Sequence, residues 1–557
     1  MKTDQVSLQI ISNSLLYASE EMGLALRNSA YSPNIKERMD HSAAVFDASG
    51  RLLAQAEHIP VHLGSLPWGL ENLIRYFSQN DMKLEEGSMA VANDPYITGT
   101  HLNDVTVVAP IYERREAVAF VANKAHHADV GGNVPGSISM EAHSLSEEGF
   151  VLEPTLLWKG GSFVESTVDA FSAASRTPAE RKGDLKAQVA ANLTGVRRVR
   201  ELLAKYGPDA FELAARNAFR HSDVLTRKRL SKFLKGSYEA TDFLEGPSGE
   251  DLKLRVKATV SKAGISLDYS GTAAEVDYPL NAVLGVTISG AYFVLRCLLG
   301  DDIPANFGAF ARVKVNVPSH TILNPTSPHP VGGGNVETSQ RNADVLFRAL
   351  AAAAPGRVPA AAGGSMNNVM MGGTFRGSAW AFYETIGVGL GGRGKMDGLD
   401  GIQANMTNTM NTPIEEIERT IPVRMVTYEF RPDSSGAGAC RGGSGLVRGY
   451  QSLEDGATFT ILAERGRHSP WGLAGGGPGE RTEILLVRGG ERARIPPKST
   501  LNLRAGDVIE VRTAGGGGYG RPSMRPPSKI AEDIADGILT AEKAESEYRY
   551  RRRLTLK

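Results

Sequence analysis

His101 and Asp104 are separated by two residues, and His126, His127 and Asp129 follow further along. All five belong to one stretch, Val91 to Gly149, which also holds His143, Glu147 and Glu148. The chain has 11 histidines, and seven of them lie at or before residue 143. Imidazoles and carboxylates gathered in this way serve a divalent metal or an acid–base centre. Two imidazoles and two carboxylates would hold Zn2+, Mn2+ or Fe2+ and leave a position open for water. Asp40 is the natural second carboxylate, because it too stands just before a strand-like segment. Asp94 and Asp129 compete for that role, although Asn93-Asp94-Pro95 reads equally as a turn. Glu148, followed by Gly149, is a candidate acid–base group. No compact H-E-x-x-H motif occurs, so spacing alone leaves polar loop residues as the other reading.

Strands must bring these residues together. VTVVAPI (105–111) and AVAFVAN (117–123) are apolar and β-rich, which predicts buried strands. Paired antiparallel, the start of the first and the end of the second meet at one sheet edge. That pairing places His101, Asp104 and His126 side by side. AAVFD and RLLAQ predict a hairpin around Asp47 to Gly50, with Asp40 and His41 just ahead of it. His58 and His62 fall in a loop. Leu66, Leu70, Leu73, Ile74 and Phe77 then predict a helix with Pro67 in its first turn. Apolar periodicity predicts a helix over 4–29 and more helix across 178–236, whose basic residues read as a solvated face. Residues 251–270 predict a hairpin turning at Lys262-Ala263-Gly264, and 284–299 another helix. From 422 onward short strands alternate with turns. GGGG (515–518) reads as a structural turn, and 528–553 as a charged helix.

The expected architecture is α+β, with mixed sheets and helices in several domains. The candidate metal site lies at strand ends in an N-terminal domain (1–245). A central glycine-rich α+β domain (246–421), a β-rich C-terminal domain (422–525) and a C-terminal helix (526–557) follow. A length of 557 residues exceeds one ordinary core. The 62 Lys and Arg balance 62 Asp and Glu, so the basic footprint of a nucleic-acid binder is missing. No signal peptide and no membrane-length apolar run is expected. Cys297 and Cys440 stand far apart, which fits a reducing cytoplasm. GLGGRGK (389–395) approaches a phosphate loop, but Met396 follows, and a thioether is a poor ligand for Mg2+. It reads as a glycine-rich turn. No G-x-S-x-G nucleophile elbow occurs.

Longer blocks carry a family resemblance. KERMDHSAAVFDASGRLLAQAEHIPVHLGS, NDPYITGTHLNDVTVVAP and AHHADVGGNVPGS resemble the B (beta) subunit of ATP-dependent hydantoinases. SQRNADV, RPDSSGAGACRGGSG, SPWGLAGGGPG and GGGGYGRP extend the resemblance along nearly the whole chain. The same family includes the C-terminal half of ATP-dependent 5-oxoprolinases. The resemblance implies one divalent metal on Asp40, His101, Asp104 and His126, with zinc foremost and manganese or iron as alternatives. Around such a metal His127, Asp129 and Glu148 are the candidates to transfer protons or to support the ligands. It also implies a hetero-oligomer with a hydantoinase A-type subunit, which uses ATP and Mg to phosphorylate the substrate carbonyl. The implied reaction is opening of a lactam or hydantoin ring. The alternatives are a subunit of an acetone- or acetophenone-type carboxylase, and a non-catalytic scaffold for the ATP-using partner. No nucleic acid or membrane is expected among the partners.

Overall fold

The computed structural model of the chain describes residues 4–56 and 58–551. The fold is α+β, with four sheets among the described residues. The N-terminal sheet has seven strands: β1 (His41–Asp47), β2 (Leu52–Gln55), β3 (Met89–Ala92), β4 (Asp104–Glu113), β5 (Glu116–His126), β6 (Thr155–Lys159) and β7 (Ser162–Phe163). Their order across the sheet is β2-β1-β5-β4-β3-β6-β7. The central strands are covered on both faces, which explains their unbroken apolar runs. On one face Ala43, Val45, Val105, Val107 and Val121 pack with Leu8, Ile11 and Leu15 of helix Gln5–Ser29 and with Leu185 and Val189 of helix Pro178–Tyr206. On the other, Ala44, Phe46, Val108, Phe120 and Ala122 meet Leu66, Leu70 and Leu73 of helix His62–Gln79. Side chains alternate along a strand, so Asp104 and His126 share the face covered by that last helix.

Helix His62–Gln79 starts a turn earlier than its apolar face suggests. Pro67 therefore lies inside it rather than in the first turn. The early start lifts His62 out of the loop and onto the helix N-terminus, above the sheet. Helix Leu284–Leu299 and the 251–268 hairpin form as the sequence predicts. The charged C-terminal segment makes two helices, Pro527–Ala535 and Ala541–Tyr548, not one. Gly537 at φ 72° turns the chain between them, and Thr540 caps the second by accepting from the Lys543 N–H. The end of the expected helix, 552–553, lies outside the described residues.

The largest apolar core includes residues from Leu8 to Leu462. A four-stranded sheet takes Asn368–Phe375 and Ser378–Glu384 from before residue 421, and Ala457–Leu462 and Lys498–Leu503 from after it. Among the described residues no helix is long and apolar enough to cross a membrane. GLGGRGK (389–395) opens no helix; Gly389 donates to Ala514 O and Gly392 to Gly517 O, inside a lattice of glycine segments.

Candidate metal centre

The pairing of β4 with β5 builds the centre. Asp104 stands directly opposite His126 in the antiparallel register. His101 reaches the same point from the turn that enters β4. One ligand atom from each of His101, Asp104 and His126 lies within 4.8 Å of the others. The Asp104 carboxylate is the hub, with His101 Nδ1 3.1 Å from Oδ2 and His126 Nδ1 3.4 Å from Oδ1. Asp40 comes in from the strand beside them. Its backbone carbonyl accepts from the His126 N–H, and its Oδ2 lies 4.0 Å from His126 Nδ1. Met39, in the left-handed region at φ 55°, turns the chain immediately before it.

His62 completes the cluster, and the sequence did not single it out. Its Nε2 lies 3.3 Å from Asp104 Oδ2 and its Nδ1 2.9 Å from Ser42 Oγ, so it orients the carboxylate from behind. Asn335 is the second addition. It sits in a π-helical turn, Gly334–Thr338, and its Nδ2 approaches Asp104 Oδ2 at 3.5 Å. Tyr383 stacks on His126, with ring centroids 4.6 Å apart. Arg38 lies over the Tyr383 ring and donates to Thr385 Oγ1 and Thr409 Oγ1. Asn335 and Tyr383 come from remote segments, so no local spacing could reveal them.

Burial and charge set the protonation states. Burial pushes the Asp104 carboxyl up, but His101 and His62, with hydrogen bonds from His101 and His126, outweigh it and hold it well below the carboxylate range. Burial also pushes Asp40 up and lowers His62 and His126. Neutral imidazoles beside an ionised carboxylate are the state a cation requires. The donor set also has room for one. Nε2 of His101 and Nε2 of His126 are buried without a hydrogen-bond partner. A buried polar atom left in this way costs free energy unless something binds it. The adjoining cleft holds about 20 Å³, the size of one water. Two imidazoles and one or two carboxylates suit zinc, manganese or iron.

The other anticipated residues stand apart from this cluster. Asp94 caps the turn Pro95–Thr98 by accepting from Tyr96 N. Asp129 accepts from Gly131 N, Gly136 N, Ser175 Oγ, Arg176 N and Arg176 Nη1, so its oxygens hold loops in place. His127 Nε2 pairs with Gln188 Oε1 at 3.0 Å, and burial lowers its pKa to about 4. Glu148 accepts from Val331 N at 3.0 Å and Gly332 N at 2.7 Å. It thus braces the segment that leads into Asn335.

Burial raises Glu148 to about 8 from an ordinary 4.5, against the pull of those two backbone N–H groups. Its folded form holds a proton that the unfolded chain releases. Its contribution to stability is therefore full below about 4.5 and is lost as pH rises through about 8. Glu148→Gln leaves one backbone N–H without an acceptor and should cost about 1–3 kcal/mol at low pH. Gln has no proton to lose, so the Tm gap between wild type and variant should narrow from pH 5 towards pH 9, as thermal melts would record. A gap that widened with pH would contradict this account.

Fold and site together define a class: an α+β protein with a buried His–Asp–His cluster fit for a divalent metal. The sequence matches the hydantoinase B/oxoprolinase family over residues 4–522, and the chain belongs to that family. It is 43% identical to an uncharacterised protein of Methanocaldococcus jannaschii, covering 98% of this chain and 96% of that one. It is 35% identical to 5-oxoprolinase 1 of Arabidopsis thaliana, over 93% of this chain but only 42% of that longer protein. A protein of Pseudomonas sp. strain NS671, named as the B component of a D-/L-hydantoinase, is 31% identical, over 98% of this chain and 95% of that one. Among solved structures, an ATP-dependent caprolactamase of Pseudomonas jessenii superposes with a TM-score of 0.92 at 27% identity, covering 98% of this chain and 96% of that one. An acetone carboxylase shares the fold at 18% identity, with a TM-score of 0.91 over 98% of this chain and 79% of that one.

Proposed function

We propose that this chain is the metal-holding component, of the hydantoinase B type, in an ATP-dependent cyclic amide hydrolase. The observation that carries the reading is the buried His101–Asp104–His126 cluster, with an unpartnered imidazole nitrogen on each histidine. Asp40 is the fourth ligand in this reading. A divalent ion held there supplies Lewis acidity and lowers the pKa of water towards neutrality. The chain's own residues do the rest. His62 and Ser42 fix the Asp104 carboxylate, and Tyr383 fixes the plane of the His126 ring. The apolar side chains of Ile59, Val61, Val336, Met366 and Met406 line the cleft and keep bulk water out. Water adds to the ring carbon that bears the phosphorylated oxygen, and the C–N bond breaks as the ring nitrogen takes up the proton. A second water releases phosphate from the acyl phosphate so formed, which leaves the free carboxylate. Glu148 and Asp129 act by holding loops, and His127 by holding the end of β5.

ATP is spent on a separate A-type subunit, which activates the ring oxygen by phosphorylation. The hydantoinase relative, whose name marks it as one component of several, supports such a partner. So does the 5-oxoprolinase, which has more than half its length outside the matched region. The test is to co-express the chain with an A-type subunit and assay 5-oxoproline, hydantoins and larger lactams with ATP. Ring-opened product should appear only when both subunits and ATP are present. Chelation followed by dialysis should abolish product, and one equivalent of the right metal should restore it. Full turnover by a chelated, metal-free complex would sink the proposal.

A further inference from the structure

Two side chains of one π-helical turn, Gly334–Thr338, reach two different ligands of the metal centre. Asn335 approaches Asp104 directly, at 3.5 Å. Glu337 reaches His126 through two intermediaries. Its Oε1 accepts from Met366 N at 3.1 Å and from Asn368 Nδ2 at 2.8 Å. Asn368 Nδ2 also donates to the carbonyl of Leu462, the residue opposite it in the sheet, at 2.9 Å. Asn368 Oδ1 accepts from Tyr383 OH at 2.9 Å. The Tyr383 ring then stacks on His126, with 13° between the ring planes.

The far end of this chain fixes its polarity. A primary amide has two N–H donors and one carbonyl acceptor. Glu337 Oε1 and Leu462 O both accept, so they take the two Nδ2 protons and leave Oδ1 for the phenol. A phenol has one proton, and Tyr383 spends it on Oδ1. Tyr383 therefore acts on the centre through its ring face. Glu337 and Asn368 are 0% exposed and Tyr383 4%, so water does not compete for these bonds.

The turn that carries Glu337 is itself held by main chain. Thr338 Oγ1 donates to Leu280 O at 2.5 Å, and a Cβ on Gly334 would overlap Asn281 O. Isolated π-helical turns are rare and are found often at functional sites. Here one turn serves two ligands. Glu337 also differs from Glu148, whose partners are the backbone N–H groups of Val331 and Gly332. The chain of bonds from Glu337 ends on a ligand ring.

We propose that Glu337 is a positioning residue of the metal centre. Through Asn368 and Tyr383 it sets the plane of His126, and so where the nitrogens of that ligand point. The inference rests on the metal-centre reading and concerns how tightly the ion is held, not the substrate.

Co2+ is the probe, added to the metal-free full chain. Affinity is measured by chelator competition, and coordination by the visible absorption of the bound ion. Glu337→Met removes the acceptor. Tyr383→Phe removes only the hydroxyl and keeps the stacked ring. Each should weaken Co2+ binding about ten- to a hundredfold and shift the spectrum. Glu337→Gln keeps a carbonyl acceptor and should stay within about twofold of wild type. The double variant should bind within about twofold of the weaker single one, because both changes cut the same chain. If Glu337→Met does not fold, Tyr383→Phe decides alone. Wild-type affinity and spectrum in Tyr383→Phe, additive losses in the double variant, or a loss in Glu337→Gln equal to that in Glu337→Met would overturn the inference and leave the metal centre standing. A wild-type chain that bound no Co2+ would overturn both.

Discussion

Asp104→Asn should empty the metal centre and lower ATP-dependent ring opening by on the order of 10³-fold or more. Asp104 touches His62, His101 and His126 at once, and Asn335 also points at it. The substitution keeps the shape but exchanges an anionic acceptor for a neutral amide. That amide must turn either its oxygen or its N–H groups towards three imidazoles. One ligand charge is lost, and the carboxylate no longer fixes the ring tautomers of its neighbours. The readouts are metal per chain by elemental analysis and product formation by the assembled complex. Asp94→Asn is the matched control. Asp94 caps a turn, Asn caps as well, and activity should stay within about twofold of wild type. A full complement of metal and unimpaired turnover in Asp104→Asn would rule out this cluster as the centre.

How much of this centre the sequence disclosed depends on how far apart its parts lie. His101, Asp104 and His126 were legible because two apolar strand runs end on them, and antiparallel pairing then dictates their meeting. Asp40 was legible for the same reason, as the residue ahead of β1. His62 was visible only as a loop histidine, because the helix that carries it begins before its apolar face does. Asn335 and Tyr383 gave no signal. They reach the site through contacts with sequence separations of 231 residues for Asn335 with Asp104 and 345 for Tyr383 O with Arg38. Periodicity reports which side of an element is buried, not which distant element buries it. Glu148 and Asp129 were conspicuous in sequence as carboxylates, and in the fold each accepts two backbone N–H groups of loop segments, contacts that no sequence spacing shows.

Gly516→Ala should be among the most destabilising single substitutions in the chain, although it adds one methyl group far from the cluster. GGGG (515–518) is not the turn that the sequence predicts. It is an extended segment threaded between others of the same kind. Gly516 donates to Gly443 O and accepts from Gly436 N, while Gly517 donates to Ala361 O and accepts from Gly392 N. Gly518 donates to Gly477 O and accepts from Leu473 N. The four residues therefore bond outward to several neighbouring segments, and those segments approach as closely as backbone allows. A Cβ on Gly516 would overlap the Leu390 carbonyl, one on Gly515 the Ser434 carbonyl and one on Gly517 the Trp471 carbonyl. Overpacking against movable side chains costs about 1–3 kcal/mol. Here the obstacles are main-chain atoms already fixed by hydrogen bonds, so the cost should exceed that range and show as a lower urea midpoint or loss of soluble protein. Gly506→Ala is the contrast. It lies at φ 90° with nothing near its would-be Cβ, so it should show only the modest strain of a left-handed alanine. If both variants melted alike, the glycine lattice would be dispensable, and much of the glycine content after residue 330 would lose its physical reason. The lattice also bears on the centre. Gln403, Met406 and Thr407 belong to the segment that continues from it, and Gln403 donates to Thr385 Oγ1 on the cleft wall. A Gly516→Ala chain that still folded should therefore keep any metal bound by the cluster but show a raised KM, because His101, Asp104 and His126 lie at the edge of the N-terminal sheet while part of the cleft wall hangs from the lattice.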